Sequence, residues 1–252
     1  MPTALITGAT AGIGAEFARQ LAARGNDLVI VARDADRLAA TAAALQHAFG
    51  VRVEALPADL LAPEGLAAVD RRLADDRRPV DLLVNNAGYG IRGELDENPF
   101  DVEKRHLDIH VTVPLQLTQT ALRGMLARGR GRIVLIASVA AFTPRGTYSA
   151  AKAWAVMFAR GANIVYRPRG VNVTAVCPGF VRTEFHDRMA VSTEGIPSFL
   201  WLQAPQLVRL ALRAIDRGRS VVIPTVRYRI VAALARVLPD RLATSGRFRS
   251  RD

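Results

Sequence analysis

Short apolar runs alternate with longer stretches of helical periodicity along the whole chain. In chain order, the apolar runs are TALIT, DLVIVA, VRVEALPA, VDLLVNNA, GRIVLIA, VNVTAVCP and SVVIP. Most of them are nearly continuous in apolar residues, a pattern typical of strands that are buried on both faces. Such strands, separated by helices and short connections, predict an α/β fold with a doubly wound parallel sheet of about seven strands flanked by helices.

The 252 residues contain no internal repeat, Pro/Gly-rich linker or low-complexity tract that would divide them. We therefore expect one domain over residues 1–252. No run of eighteen or more apolar residues predicts a membrane-spanning helix. The N-terminal residues lack the pattern of a secretion signal, and the single cysteine, Cys177, cannot form an internal disulfide. Both features favour a reducing cytoplasm.

The formal net charge of +11 raises the question of a nucleic-acid partner. From Arg209 to the C-terminus, however, eleven arginines face three aspartates, so most of the excess charge lies in the last segment. Nearly all of the basic residues are arginine, which indicates a general compositional bias and not a surface built to bind phosphates. We favour a solvated basic face over residues 225–252, a basic amphipathic helix and tail, and expect no nucleic-acid partner. Contact with an anionic membrane surface is the less favoured alternative.

Three glycines, Gly8, Gly12 and Gly14, lie between the first predicted strand and the first predicted helix. Glycine lets the backbone turn tightly and approach a pyrophosphate, and the helix N-terminus offers N–H groups and a partial positive charge. The spacing G-x-x-x-G-x-G is not the commoner G-x-G-x-x-G, and a simple turn is the alternative. The position at the first strand–helix junction favours a dinucleotide phosphate site.

Arg33 follows the second strand, where dinucleotide-binding folds place the residue that distinguishes NAD from NADP. An acidic residue would accept from the ribose 2′-hydroxyl of NAD, whereas an arginine suits the 2′-phosphate of NADP. Arg37 could add a second contact, but the neighbouring Asp34 argues in the other direction. We expect NADP(H) to be favoured over NAD(H); the alternative is that both arginines are surface charges.

Two further polar groups follow predicted strands, Asp59 after the third and NNAG at 85–88 after the fourth. Open α/β sheets bind ligands at the carboxyl ends of their strands. The alternative is that Asp59 caps a helix and the asparagine pair forms a turn.

A tyrosine and a lysine stand four residues apart at the start of a long predicted helix, and Ser138 follows the fifth strand. Tyr148 and Lys152 therefore share one helix face. A nearby ammonium should lower the pKa of the phenol, usually near ~10, towards a useful acid/base range. Ser138 could hold the same substrate oxygen. The alternative is a structural tyrosine, but only two of the 34 basic residues, Lys104 and Lys152, are lysines.

In combination these motifs resemble the short-chain dehydrogenase/reductase family, and the likeness covers nearly the whole chain. The matching motifs are T-G-x-x-x-G-I-G at 7–14, N-N-A-G at 85–88, S…Y-x-x-x-K at 138–152 and P-G-x-x-x-T at 178–183. The PADL and LVNNAGYG segments resemble a bacterial branch of broadly acting NADP-dependent oxidoreductases in that family. The resemblance implies a Rossmann-type fold and hydride transfer between NADP(H) and a carbonyl or alcohol substrate.

The resemblance also implies roles for particular residues. Tyr148 would donate or accept the proton, Lys152 would lower its pKa and hold the nicotinamide ribose, and Ser138 would orient the substrate oxygen. Asp59 would contact the adenine, and the 178–183 motif would support the nicotinamide end. The cofactor-binding set expected from the family is Thr7, Gly8, Thr10, Gly12, Ile13, Gly14, Arg33, Asp59, Leu60, Asn86, Ala87, Gly88, Tyr148, Lys152, Pro178, Gly179, Val181 and Thr183. No metal is implied, and family habit suggests a homodimer or homotetramer.

The chain departs from the family pattern in two places. His110 aligns with an asparagine that commonly holds a water linking the lysine to solvent. A histidine titrates near ~6.5, so we include His110 among the candidate catalytic residues and expect the relay to be altered, pH-sensitive or lost. The alternative is a packed histidine with one satisfied nitrogen. Only nine residues separate Ser138 from Tyr148, fewer than is common, so both side chains converge only if the loop turns tightly.

The stretch at about 184–204 has little regular pattern and corresponds to the region that covers the substrate in the family. Its apolar side chains predict a hydrophobic carbonyl or alcohol substrate, or else they only anchor the lid to the core. These side chains are Phe185, Met189, Phe199, Leu200 and Trp201. An active NADP-dependent oxidoreductase is the favoured function. A dinucleotide-binding sensor with little turnover, or a protein that binds membrane surfaces through its basic C-terminal helix, is the alternative.

Overall fold

The computed structural model describes residues 1–144, 146–183 and 197–237, except for the side chains of residues 236 and 237. The strands are β1 (Thr3–Thr7), β2 (Asp27–Ala32), β3 (Val53–Pro57), β4 (Leu82–Asn85), β5 (Gly131–Ile136), β6 (Val171–Val176) and β7 (Val221–Val222). The α-helices are α1 (Gly12–Ala22), α2 (Ala35–Phe49), α3 (Pro63–Leu73), α4 (Phe100–Leu107), α5 (Val113–Ala127), α6 (Gly146–Tyr166), α7 (Ala204–Asp216) and α8 (Val226–Val237). A π-helical turn (Asp108–Thr112) joins α4 to α5, and a 3₁₀ turn (Val139–Phe142) follows β5.

All seven strands are parallel and form one sheet in the order β3-β2-β1-β4-β5-β6-β7. The predicted doubly wound α/β fold is confirmed. The order reverses between β1 and β4, so the connections from these two neighbouring strands leave in opposite directions. This divergence opens a crevice at their carboxyl ends, which is where such sheets bind ligands.

Both faces of the sheet are buried, as the continuous apolar runs predict. On one face, Leu5, Leu83 and Ile133 pack with residues of α3, α5 and α6. On the other face, Ile6 and Ile30 pack with residues of α1, α2 and α7. Since successive side chains on a strand point to opposite faces, a strand between two helical layers must be apolar at nearly every position.

Local signals define the helix that follows β2. The carboxylate of Asp34 accepts a hydrogen bond of 2.9 Å from the Arg37 backbone N–H and so caps the N-terminus of α2. The helix ends at Gly50, whose φ of 67° lies in the left-handed region that glycine adopts without strain. The acidic residue next to Arg33 is therefore part of the helix cap.

The C-terminal helix α8 packs on its own domain along one face, where Tyr228 and Ala232 are almost fully buried. Val226, Ile230 and Leu234 are exposed on the other side of this helix. Residues 238–252, the predicted basic tail, lie outside the described residues. None of the described helices is long and apolar enough to cross a membrane.

The central strand β4 offers a test of the core. Leu83 is fully buried, so the substitution Leu83→Ala should lower the free energy of unfolding by about 3 kcal/mol through lost burial and a residual cavity. Leu95→Ala is the matched control, because Leu95 is 66% exposed and its truncation should change stability by no more than about 0.5 kcal/mol. Urea denaturation of the three proteins measures both values. Equal losses for the two variants would contradict the described core.

Candidate active site

The turn between β1 and α1 has glycine at the three positions where a side chain would meet neighbouring atoms or need an unfavourable backbone angle. Gly8 and Gly12 have φ values of 65° and 54°, which L side chains rarely adopt. A Cβ on Gly14 would overlap the Gly8 carbonyl oxygen and the side-chain amide of Asn86. Thr10 and Ile13, both half-buried, lie in the same turn. Glycine thus lets the backbone of this turn pack closely against Asn86 and Thr183.

Asn86 locks the glycine turn to the end of β4. Its Nδ2 donates to the carbonyl oxygens of Thr7 (2.9 Å) and Gly8 (3.1 Å). In return, the Thr7 hydroxyl oxygen accepts from the backbone N–H groups of Asn86 (2.9 Å) and Ala87 (3.0 Å). The motifs at 7–14 and 85–88 therefore form one hydrogen-bonded unit at the point where the strand order reverses.

The N-terminus of α1 fits the phosphates of a dinucleotide. The capping residue is Ala11, which has no side-chain acceptor, and the first turn contains no acidic residue. The positive end of the helix dipole and the first backbone N–H groups are thus not neutralised by a local carboxylate. These features suit a pyrophosphate.

The adenosine side of the predicted site follows β2 and β3. Arg33 is exposed directly after β2, and its guanidinium has no hydrogen-bond or ion-pair partner within residues 1–144, 146–183 and 197–237. Asp59 is half-buried after β3, and its Oδ1 accepts from the Leu61 N–H at 3.0 Å, which leaves Oδ2 for other contacts. Leu60 is buried in the core beside it.

Ser138, Tyr148 and Lys152 converge despite the short connection between the serine and the tyrosine. The 3₁₀ turn at Val139–Phe142 makes that connection compact, and α6 begins at Gly146. Ser138 lies close enough to Tyr148 to lower the pKa of its phenol. Lys152 Nζ donates to the Ile136 carbonyl at 2.8 Å and lies 5.5 Å from the centre of the Tyr148 ring.

Burial, more than the lysine charge, sets the proton affinity of the tyrosine. Desolvation raises the pKa of Tyr148 to about 12, and the hydrogen bond with Ser138 opposes this only in part. Desolvation also lowers the pKa of Lys152 to about 8, with Cys177 opposing. The expected net lowering of the phenol pKa is therefore not met. The ammonium lies over the ring and bonds a backbone carbonyl, so burial of the hydroxyl dominates.

His110 lies in the π-helical turn and is neutral. Its Nε2 is 2.7 Å from the Tyr89 carbonyl oxygen, which can only accept, so Nε2 carries the proton. Burial, assisted by the Lys152 charge, holds the pKa of His110 well below its usual value near 6.5. The expectation of a histidine that titrates around physiological pH is not met. The ring packs against Gly88, where a Cβ would collide with it.

A cavity of about 10 Å³ lies between His110, Lys152 and Asn85. This volume is close to that of one water molecule, and the polar groups in its wall offer hydrogen bonds. Asn85 also donates to the Thr118 hydroxyl at 3.1 Å.

The sequence analysis missed two buried polar residues of α4 that border this site. The His106 ring is 4.6 Å from the His110 ring and 5.9 Å from the Tyr148 ring, measured between centroids. Glu103 accepts a hydrogen bond of 2.6 Å from the hydroxyl of Thr147, the neighbour of Tyr148. The signal was the i, i+4 spacing of the two histidines, which puts them on one helix face. In the described part of the chain, no such cluster has the arrangement of a metal site.

The loop after β6 closes the site on the remaining side. The Pro178 carbonyl accepts from the Val139 N–H at 2.8 Å, next to Ser138. Thr183 lies against Gly12, since a Cβ on that glycine would come within 3.2 Å of the threonine side chain. Val181 is buried and forms an isolated bridge with Leu202. This loop thus connects the serine side of the site to the glycine turn.

Part of the predicted lid is described. Phe199 is largely exposed, whereas Leu200 and Trp201 are half-buried. The Trp201 ring packs on the ring of Phe180, with a centroid distance of 5.8 Å. Phe185 and Met189 lie outside the described residues.

A glycine turn suited to phosphates, a half-buried serine and tyrosine, and a buried lysine at one edge of a parallel sheet are the layout of a Rossmann-type oxidoreductase that uses a nicotinamide dinucleotide. Residues 2–192 match the family described as short chain dehydrogenase, and the chain belongs to the short-chain dehydrogenase/reductase family.

Relatives of similar sequence identity, both curated proteins and solved structures, support this membership. The ketoacyl reductase HetN of Nostoc sp. is 33% identical over 228 residues, which cover 88% of this chain and 77% of that protein. The short-chain dehydrogenase of Sphingobium yanoikuyae, solved in complex with NADPH, has a TM-score of 0.85 and 36% identity, covering 98% of this chain and 97% of that one. The bulky-bulky ketone specific alcohol dehydrogenase of Comamonas testosteroni has a TM-score of 0.81 and 33% identity, covering 98% and 95%. The predicted family and enzyme class are confirmed.

The lowered pKa of Lys152 should be visible in protein stability. Its pKa is about 8 in the folded protein and near 10.5 when exposed, so between these values the unfolded chain binds more protons and stability rises with pH. Between pH 7.5 and 9.5 the wild type should gain about 2 kcal/mol relative to Lys152→Met, which has no ammonium to desolvate. Tyr148, with a raised pKa, contributes only above about pH 10 and in the opposite direction. Urea denaturation at the two pH values measures this difference, and parallel behaviour of the two proteins would contradict it.

Proposed function

We propose that this protein is an NADP(H)-dependent reductase of hydrophobic ketones or aldehydes. The observation that carries the proposal is the convergence of Ser138, Tyr148 and Lys152 beside the glycine turn, with the Lys152 ammonium 5.5 Å from the centre of the Tyr148 ring. A pKa of about 12 keeps the Tyr148 phenol protonated at every physiological pH. A protonated phenol is the form that can give its proton to a carbonyl oxygen during reduction.

When bound, the nicotinamide supplies the hydride to the carbonyl carbon. Negative charge then develops on the carbonyl oxygen, where Ser138 donates a hydrogen bond and holds that oxygen against the tyrosine. Tyr148 gives its proton to the same oxygen and completes the alcohol. The phenolate left behind is stabilised by the ammonium of Lys152, which is mostly protonated at neutral pH because its pKa is about 8.

Tyr148 regains its proton from the Lys152 ammonium, and the amine that is left takes up a proton from solvent. In this proposal a water in the cavity between Lys152, His110 and Asn85 links the ammonium to the neutral imidazole. With Nε2 of His110 committed to Tyr89, only Nδ1 can accept from such a water. His110 thus acts as a fixed acceptor and does not change its charge during turnover.

The cofactor-binding residues in this proposal lie along the carboxyl edge of the sheet. The glycine turn and the N-terminus of α1 hold the pyrophosphate, and the loop at 178–183 borders the nicotinamide end. Support for NADP(H) comes from Arg33, whose guanidinium has no partner among the described residues, and from Asp34, whose carboxylate caps α2. The relative from Sphingobium yanoikuyae was solved with NADPH.

The hydrophobic substrate is supported by the lid side chains Leu200 and Trp201 and by the relative named for bulky ketones. A homodimer or homotetramer is supported by exposed apolar side chains on α5 and α6, including Leu115, Met157 and Ile164. One domain over residues 1–252 and a cytoplasmic location complete the proposal.

Arg33 should decide the cofactor preference. Arg33→Ala removes a charged partner of the 2′-phosphate, so the dissociation constant for NADPH should rise by about tenfold, the lower end for a charge-assisted hydrogen bond at an exposed site. The constant for NADH should stay within about twofold. Fluorescence titration of both cofactors measures these values, with Arg160→Ala, another exposed arginine, as control. Equal binding of NADH and NADPH by the wild type would refute the NADP assignment.

Tyr148→Phe tests the chemistry. Loss of the donated proton should lower kcat with a hydrophobic ketone or aldehyde at least about 100-fold, while NADPH still binds. Tyr166→Phe, at the far end of the same helix, should keep its activity. Turnover is followed by carbonyl-dependent loss of NADPH absorbance. A wild type that binds NADPH and reduces no carbonyl in a broad panel would favour the sensor alternative.

A further inference from the structure

The C-terminal helix α8 reaches the candidate active site through a small apolar cluster. We call this group the C-terminal cluster; its buried members are Val181, Leu202, Leu207 and Tyr228. Ile13 of the glycine turn and Val139, which follows Ser138, pack against it from the side of the site. The two halves of the site, one for phosphates and one for the acid/base pair, thus touch the same cluster.

The Tyr228 hydroxyl connects two chain segments that are distant in sequence. It accepts a hydrogen bond of 2.9 Å from the Phe180 N–H and donates one of 2.7 Å to the Leu200 carbonyl. Burial raises the pKa of Tyr228, so the hydroxyl keeps the proton that it donates. One side chain of α8 therefore satisfies a donor and an acceptor of the backbone, one on each side of residues 184–196.

Backbone bonds reinforce the junction of these two segments. The Leu202 N–H donates to the Phe180 carbonyl at 2.8 Å, and the Arg182 N–H donates to the Leu202 carbonyl at 3.1 Å. The loop after β6 is thus paired with the segment that precedes α7. The Tyr228 hydroxyl hydrogen-bonds to both of these paired segments, to Phe180 in one and to Leu200 in the other.

The ring of Tyr228 constrains the same loop by contact. It lies against Gly179 so closely that a Cβ there would overlap the ring carbons. The same loop is also bonded to the turn after β5, because the Pro178 carbonyl oxygen accepts from the Val139 N–H. The backbone at 178–180 is therefore held between the turn that carries Ser138 and the ring and hydroxyl of Tyr228.

We propose that Tyr228 is a positioning residue whose hydroxyl fixes the loop at 178–183, and through it the nicotinamide end of the cofactor site. This inference rests on the proposed function, which assigns that end of the site to the loop. Tyr228 has no part in the proton transfer. The hydroxyl acts only through the Phe180 N–H and the Leu200 carbonyl.

Tyr228→Phe keeps the ring against Gly179 and removes only the two hydrogen bonds. Two ligands separate the ends of the site: NADPH, and adenosine 2′,5′-bisphosphate, which has the adenosine end without a nicotinamide. The variant should bind NADPH about tenfold more weakly and adenosine 2′,5′-bisphosphate within about twofold of the wild type. Tyr166→Phe removes a hydroxyl at the distant end of α6 and should change neither constant.

Hydrogen exchange provides a readout that needs no ligand. In Tyr228→Phe, the amide of Phe180 loses its acceptor and should exchange about tenfold faster or more, while amides of β1 and β4 keep their protection. Equal weakening of both ligands, unchanged binding of both, or unchanged exchange at Phe180 would each overturn the positioning role. A wild type that binds no NADPH would instead refute the proposed function, so the two failures are distinguishable.

Discussion

The close approach of the glycine turn to Asn86 is the constraint on which the rest of the site depends. β1 and β4 are neighbours in the sheet, and their connections diverge, so a crevice opens between them. Asn86 and Thr7 close the base of that crevice with four hydrogen bonds to the backbone. Gly14 permits this approach because any side chain there would meet the Gly8 carbonyl. The turn thus presents backbone N–H groups and a helix N-terminus as its outer surface.

Desolvation gives the acid/base side of the site its character. Burial disfavours every charged form, so it raises the pKa of Tyr148 and lowers those of Lys152 and His110. Each group is therefore shifted towards its neutral form: the phenol stays protonated, the ammonium gives up its proton more readily, and the imidazole is neutral. The Tyr148 hydroxyl therefore holds the proton that it can donate. The arrangement also leaves the ammonium as the nearest charge that can stabilise a phenolate after the proton has been given away.

Segments from the whole length of the chain meet at this one edge of the sheet. The loop after β6 contacts Val139 at its start, Tyr228 of the C-terminal helix in its middle and Gly12 at its end. In the proposed function, cofactor and substrate share a site with walls that come from both the N-terminal and the C-terminal thirds. Rigidity in that loop has a direct chemical value, because a hydride transfer depends on the placement of both reacting carbons.

Local patterns in the sequence determined the fold and the positions of the site motifs along the chain. Strands that are apolar on both faces required helices on both sides of the sheet. Glycines at the first strand–helix junction indicated a tight turn. Tyr148 and Lys152 lie on one face simply because four residues make about one helical turn.

Only the tertiary structure decided the proton affinities, since the pKa of Tyr148 depends on what buries its hydroxyl more than on the lysine one turn away. The spacing of His106 and His110 puts both rings on one helix face, but only the packing of α4 brings that face to the site. Tertiary packing likewise decides the contacts of Tyr228, whose hydrogen-bond partners lie 28 and 48 residues away in the chain. Desolvation and long-range hydrogen bonds depend on which distant segments pack together, and no local pattern of residues specifies that.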